Sequence, residues 1–215
     1  MILCFSGGID SYVAWHYLSK PQTVYFNTRC RYSSQEIKVV KKLIPTTIIN
    51  ESLILKDYEY GENAYIPFRN LLFACQAVKY SNKIVIAGLE DDNISDKNQR
   101  IFEEFSLMLS KLEGREIEIM SPFWNMTKEE VVNWYTISTG KKDLTETISC
   151  YSNNSQYCGR CPSCFRKWVA LRTNGYKIDF YNGSLMQQYY DAADQNKYVE
   201  SRNIAIVREI NAYRS

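Results

Sequence analysis

Two stretches of this 215-residue chain carry residue types at spacings that can do chemistry. The first is Ser6-Gly7-Gly8-Ile9-Asp10-Ser11, a glycine pair between hydroxyls with one carboxylate. Where such a run opens a helix, unpaired N–H groups and the positive end of the helix dipole bind anions. The glycines let backbone turn sharply and approach a ligand with no Cβ in the way. Ser6 and Ser11 can donate to phosphate oxygens. Asp10 can hold Mg²⁺, which takes one or two carboxylates alongside phosphate oxygens. The plainer reading is a tight strand-to-helix turn with Ser or Asp as its cap. The second stretch is Cys150, Cys158, Cys161 and Cys164, with two overlapping Cys-x-x-Cys steps. Four thiolates satisfy tetrahedral zinc with no open position, which makes a structural site. Gly159 frees the turn, Pro162 fixes it, and Arg160 and Arg166 stand ready to ease the thiolate charge. An iron–sulfur cluster uses similar spacing and is the rival occupant.

These residues need elements to position them. Met1–Phe5 reads as a short buried strand and Asp10–Leu18 as a helix, which places the glycine run in the strand-to-helix loop. Strand patterns recur at Thr23–Asn27, Thr46–Ile49, Lys83–Ala87 and Glu116–Ile119. Helix patterns lie between them, at Gln35–Leu43, Arg69–Tyr80 and Ile101–Leu112. Ile37, Val40 and Leu43 share one face of the first of these. Thr127 with Glu130 forms a capping box for a further helix, whose apolar face carries Val131, Val132 and Tyr135. Strands alternating with helices imply a parallel sheet with crossover helices. Residues 50–67 and 90–99 read as long loops, and loops of such length in a compact domain are often functional. Past Gly140 the pattern changes: the cysteine cluster, a helix at Phe165–Thr173, then an aromatic tail with helical spacing at Ile204, Val207 and Ile210.

The Ser-Gly-Gly-x-Asp-Ser string is neither a Walker loop nor a Gly-x-Gly-x-x-Gly fingerprint. It resembles the pyrophosphate loop of the N-type ATP pyrophosphatases. With the cysteine signature, in this order, the chain resembles the 7-cyano-7-deazaguanine synthase (QueC) family from about residue 1 to about residue 172. Leu3–Ser11 matches the nucleotide loop. Phe26 and Asn27, with Glu36 further on, resemble the end of the second strand and the helix after it. Ile66-Pro67-Phe68-Arg69-Asn70 resembles a Val-Pro-Gly-Arg-Asn segment in which Phe68 replaces glycine. Ile84–Gly88 resembles the strand before the substrate loop, and Ser121-Pro122-Phe123 and Thr127–Val131 fall where the family has Pro-Leu and a helix start. Ser149-Cys150-Tyr151 and Cys158–Cys164 resemble the zinc signature.

The resemblance implies a Rossmann-like, five-stranded parallel α/β sheet of the adenine nucleotide alpha hydrolase type. It implies a nucleotide-binding domain over 1–140 and a zinc-bound helical region over 141–215. ATP would lie against Ser6, Gly7, Gly8, Ile9, Asp10, Ser11, Phe26 and Gly88, with Mg²⁺, and zinc against the four cysteines. Asp10, Ser11 and Arg69 would serve catalysis. Arg69, Asn70, Asp92 and Arg100 would meet the substrate, although helix capping after Pro67 is an alternative for Arg69 and Asn70. ATP would adenylate 7-carboxy-7-deazaguanine, ammonia would displace AMP to give the amide, and a second activation would give the nitrile. The family's Asp-x-Ser-Gly-Tyr-Pro-Asp-Cys-Arg loop is here Asp92-Asn93-Ile94-Ser95-Asp96-Lys97-Asn98-Gln99-Arg100, without its Gly-Tyr-Pro centre. That departure, with the long tail, admits a relative that stops at the amide. It also admits one that joins the acid to another amine, even on a protein, as in a phage or antiviral system. A tRNA-thiolation enzyme with an iron–sulfur cluster is a further alternative, but such enzymes usually carry Lys where Ile9 stands. A catalytically silent nucleotide-binding module is the last.

Composition narrows the field. A net charge of +2 and a pI near 8.1 are too mild for a dedicated nucleic-acid binder. The N-terminal apolar run is too short for a leader or a span, so the expectation is a cytoplasmic protein with no membrane partner. Seven cysteines, with Cys4, Cys30 and Cys75 scattered, fit a reducing compartment with one metal site. His16, inside the first helix, has no partner in view. The family relationship implies a homodimer, and the tail can cover the site, build that dimer or dock a protein partner.

Overall fold

A computed structural model describes residues 1–61, 65–92, 94–150 and 157–214. Tyr151 of the zinc signature and Asn93 of the altered loop lie outside the described residues. The chain runs β1 (Ile2–Cys4), α1 (Ile9–Tyr17), β2 (Gln22–Phe26), α2 (Ser33–Leu43) and β3 (Ile48–Asn50). It continues through α3 (Arg69–Ala77), β4 (Lys83–Val85), α4 (Gln99–Glu113), β5 (Glu118–Met120) and α5 (Lys128–Thr139). α6 (Pro162–Thr173), α7 (Gly183–Asp194) and α8 (Glu200–Arg214) follow. The five strands are parallel, in the order β3-β2-β1-β4-β5. The expected α/β class and strand number are therefore what forms.

This order fixes where a ligand goes. The chain leaves β1 toward β2 on one side, and β3 crosses back to β4 on the other. The loop after β1 thus lies at the switch point, where open parallel sheets bind ligands beyond their strand ends. Successive side chains of β1 serve opposite faces. Leu3 enters a core with Val13 of α1, Val40 of α2 and Val131 and Tyr135 of α5. Ile2 enters the other, with Ala74 of α3 and Phe102 and Leu109 of α4. A third core holds Cys150, Cys164, Phe165, Trp168, Phe180, Ile206 and Ile210. α6 bridges two cores, because Ala170 and Leu171 on it belong to the first.

Several expected boundaries move. The capping box at Thr127 is complete, with Glu130 reaching back to the Thr127 N–H at 2.7 Å. α4 begins two residues earlier than its apolar pattern, because Asn98 caps it by accepting from the Ile101 N–H at 3.0 Å. The tail forms two helices. In α8 the buried face is Ala205, Ile206 and Ile210, and Ile204 is exposed, so the Ile204–Val207–Ile210 stripe is rotated from expectation. The loop at 50–67 contains a short 3₁₀ turn at Lys56–Tyr58 and an antiparallel bridge between Tyr60 and Tyr65. No helix among the described residues is long and apolar enough to cross a membrane.

Candidate active site and metal centre

The first turn of α1 is open to an anion. Gly8 is its N-cap and supplies no side chain, so nothing on the cap occupies the first N–H groups. Gly7 has φ +76, in the left-handed region that favours glycine, and a Cβ there would press on Val39 at 3.3 Å. Ser6 and Ser11 hold the loop in shape. The Ser6 N–H donates to Ser11 Oγ at 3.3 Å, and Ser11 Oγ donates to Gly8 O at 3.2 Å.

Asp10 projects from this turn and meets Lys128 at the start of α5. Lys128 Nζ lies 2.8 Å from Asp10 Oδ1 and 3.0 Å from Oδ2. Only the Oδ2 contact is aligned as a hydrogen bond, so among the described residues Oδ1 is a buried oxygen without a hydrogen-bond partner.

The loop opens into a cavity of about 1180 Å³ at the carboxyl ends of the strands. That exceeds the ~300–1,000 Å³ typical of one small-molecule site, so the cavity has room for two small molecules. Ser6, Gly8, Asp10 and Ser11 line it at the centre, with Phe26, Glu36 and Arg69 among the β2-side residues. Phe26 is stacked on Phe73 at 5.1 Å. The Asp91–Asp92 pair is buried in an ion network. Arg166 spans Asp91 at 2.6 Å and Asp92 at 2.7 Å. Lys97 reaches Asp92 at 2.5 Å, and Arg202 of α8 reaches Asp91 at 3.1 Å. Burial alone would raise the Asp92 pKa, but Lys97 and Arg166 outweigh it and hold the carboxyl far below the usual range.

The four cysteines converge. Their sulfurs all lie within 4.8 Å of one another, and Cys158 Sγ is 3.7 Å from Cys164 Sγ. Tetrahedral Zn–S bonds of ~2.3 Å place sulfurs ~3.8 Å apart, so the group fits zinc. Cys161 is the N-cap of α6, accepting from the Cys164 N–H at 3.4 Å, and Pro162 opens the helix. The cysteine segment also touches the glycine loop. The Ile148 N–H donates to Gly7 O at 2.8 Å, and Gln35 Nε2 donates to Cys150 O at 3.1 Å. Lys167, buried one turn past Cys164, donates to the carbonyls of Thr145 and Thr147 and fixes the same stretch.

The family model for "Queuosine biosynthesis protein QueC" matches residues 22–177. The chain belongs to the QueC family. A protein of Saccharolobus solfataricus named 7-cyano-7-deazaguanine synthase is 29% identical over 82% of this chain and 46% of its own length. One of the same name from Methanobrevibacter smithii is 26% identical over 80% of this chain and 92% of its own. Another, from Prochlorococcus marinus, is 23% identical over 79% and 94%. The chain spans about half the length of the Saccharolobus relative and of similar archaeal ones.

Against this QueC membership the expected site residues divide. Ser6, Gly8, Asp10, Ser11, Phe26, Arg69, Asn70 and Asp92 line the cavity. Gly7 shapes the loop from below, and Ile9 is wholly buried in the first core. Asn70 is held by Asp96, which accepts from its backbone N–H and its side chain, both at 2.9 Å. Asp96 thereby caps α3 from the altered loop. Phe68, in the glycine position of the family segment, is the α3 N-cap at φ +56, a conformation that glycine adopts freely and other residues rarely do.

Two placements depart from expectation. Arg100 is not at the cavity; it lies on the solvent side of α4, 2.9 Å from Glu104 one turn on. Gly88 does not line it either. Its N–H donates to Ser121 Oγ at 2.9 Å, and a Cβ on it would fall 2.2 Å from the Trp124 ring. Gly88→Ala is expected to lower stability by ~1–3 kcal/mol through displacement of Trp124. Unchanged thermal melting would contradict that packing account.

Arg166 also differs: its guanidinium serves the aspartates, and near the sulfurs it is the Arg160 backbone N–H that reaches Cys158, at 3.4 Å. Sequence reasoning missed the Lys128–Asp10 pair, the Asp91 network and Lys167. It allowed that the tail covers the site but named none of Tyr189, Lys197, Tyr198 and Arg202, which line the cavity from beyond the family match. His16 stands edge-on to Tyr12, Trp15 and Tyr135, away from the cavity, and burial lowers its pKa.

Proposed function

We propose that the chain is an ATP-dependent ligase acting on 7-carboxy-7-deazaguanine, toward the 7-cyano-7-deazaguanine that the relatives' names give as their product. One observation carries this reading. The glycine loop and the cysteine segment close on a single cavity, with Ser6, Gly8 and Asp10 on one wall and Ser149 and Ser163 on another. The α1 amides and Ser11 grip the β- and γ-phosphates. The α-phosphorus is then open to the substrate carboxylate. Pyrophosphate leaves, and the acyl adenylate exchanges AMP for ammonia to give the amide. A second activation removes the amide oxygen and gives the nitrile.

Each residue has a physical task. Arg69, oriented by its 2.9 Å hydrogen bond to the Tyr32 hydroxyl, neutralises charge on the α-phosphate or carboxylate. Lys128 faces the phosphate loop as a second cation. Mg²⁺ would fit Asp10 Oδ1, a hard oxygen donor that faces the Lys128 ammonium without accepting a hydrogen bond, and would supply phosphate charge neutralisation. Zinc serves the fold through the four cysteines.

A second reading concerns the amine. The 90–99 loop lacks the family's Gly-Tyr-Pro centre, and Lys97, Asp92 and Arg166 tie it down. This supports an enzyme that stops at the amide or uses another amine. One assay separates the two: 7-carboxy-7-deazaguanine, ATP, Mg²⁺ and ammonium, read by mass spectrometry. The expected result is carboxylate-dependent AMP and pyrophosphate with the nitrile mass. The amide as final product supports the second reading. ADP, or AMP released without the carboxylate, contradicts both.

A further inference from the structure

The cavity holds several carboxylates, and most are already engaged. Asp10 faces Lys128, Asp91 and Asp92 face Arg166, Arg202 and Lys97, and Asp96 is held by the amides of Asn70. Glu90 is exposed at the rim. Glu36 differs from all of these. It lies in the first turns of α2 and its side chain faces the cavity. Its side chain meets a neutral hydroxyl: Tyr25 donates to Oε2 at 2.9 Å.

We propose that Glu36 is the general base of the amide-forming step, its cavity-facing carboxylate accepting a proton from the attacking amine. The assignment rests on the ligase reading above and adds to it a residue for the second half-reaction. The amine nitrogen bonds to the acyl carbon, one N–H proton passes to Glu36, and the C–O bond to AMP breaks with its electron pair leaving on the phosphate oxygen. No further reactant is needed.

The surroundings suit the task. The groups facing Glu36 are Tyr25 from β2, Tyr32 from the segment before α2 and Arg69 from α3. Burial raises its pKa from the ordinary 4.5 to about 7, opposed by the Tyr25 hydrogen bond and the Arg69 charge. A base near neutrality combines an ionised form with useful proton affinity. A raised carboxyl pKa favours the fold in acid, and that contribution is lost as pH rises from 4.5 to about 7. A residue that weakens the fold at working pH and faces a ligand cavity is placed for chemistry rather than for stability.

The test separates the half-reactions in the full chain. Carboxylate-dependent exchange of pyrophosphate into ATP reads adenylation, and amide formation from ammonium, divided by the free-ammonia fraction, reads the second step. For Glu36→Gln, whose amide oxygen still accepts from Tyr25, exchange is expected to persist while amide formation falls ~100-fold. The wild type should gain rate up to about pH 7 and then level, and the variant should lose that rise. Its melting temperature should exceed the wild type's at pH 8, with the gap narrowing toward pH 5. Glu36→Asp, one methylene shorter, should keep the rise at a lower rate. Wild-type amide formation by Glu36→Gln, or parallel loss of exchange and amide in both folded variants, overturns the assignment. If the wild type shows no exchange, the ligase reading itself falls and this base falls with it.

Discussion

Cys164→Ser is expected to bind little zinc and to melt about 10 °C or more below the wild type. A four-thiolate site contributes roughly 10–16 kcal/mol to local folding when loaded, and loss of one ligand forfeits several of these. In a chain of this length each kcal/mol moves the melting point by about 2–4 °C. The sulfurs are poor company without a cation. Cys150 and Cys161, with burial, push the Cys164 thiol far above its usual range, and a metal reverses that preference. The effect should reach the nucleotide. Ile148 donates to the phosphate loop and stands two residues before Cys150, so releasing Cys150 loosens Gly7. ATP affinity should therefore weaken along with stability. Metal analysis, thermal melting and nucleotide titration check the three parts, and unchanged zinc content and melting would remove the structural metal. A brown wild-type preparation would replace zinc by an iron–sulfur cluster.

What the sequence disclosed was local. The glycine loop could be read because its six residues are contiguous and a strand pattern stands before them. The cysteines and the Thr127 capping box were legible for the same reason. What it hid was assembled across the fold. Lys128 meets Asp10 across 118 positions, a pairing that exists only because β5 follows β4 at the sheet edge and returns α5 beside α1. Arg166 stands among cysteines in sequence, yet one helical face carries it to Asp91 and Asp92. Arg100 followed the family pattern and missed. Asn98 starts α4 earlier than the apolar spacing implied, so Arg100 lies inside the helix, where it pairs with Glu104 on the solvent face. The tail gave helical spacing and three possible roles, covering the site among them, and nothing local in Tyr198 or Arg202 singles them out as a cavity wall.

Asp10→Asn is expected to lower turnover by ~100-fold or more while the fold survives. The asparagine oxygen can still accept from Lys128, so the contact between α1 and α5 keeps its shape. Alanine is the weaker probe, because it would strand Lys128, whose side chain is 8% exposed, at a cost of ~1–3 kcal/mol. The variant removes one negative charge beside the phosphate loop, which favours ATP binding by simple electrostatics. The KM for ATP should thus hold or fall while kcat drops, and the demand for Mg²⁺ should rise. That split distinguishes two roles for the carboxylate. If Asp10 only neutralises Lys128, the substitution lowers the melting temperature and leaves kcat and Mg²⁺ dependence alone. If its second oxygen, buried and without a hydrogen bond, holds the cation that accompanies the phosphates, melting is little changed and the chemistry is lost. Full turnover at the wild-type Mg²⁺ concentration would take Asp10 out of the reaction.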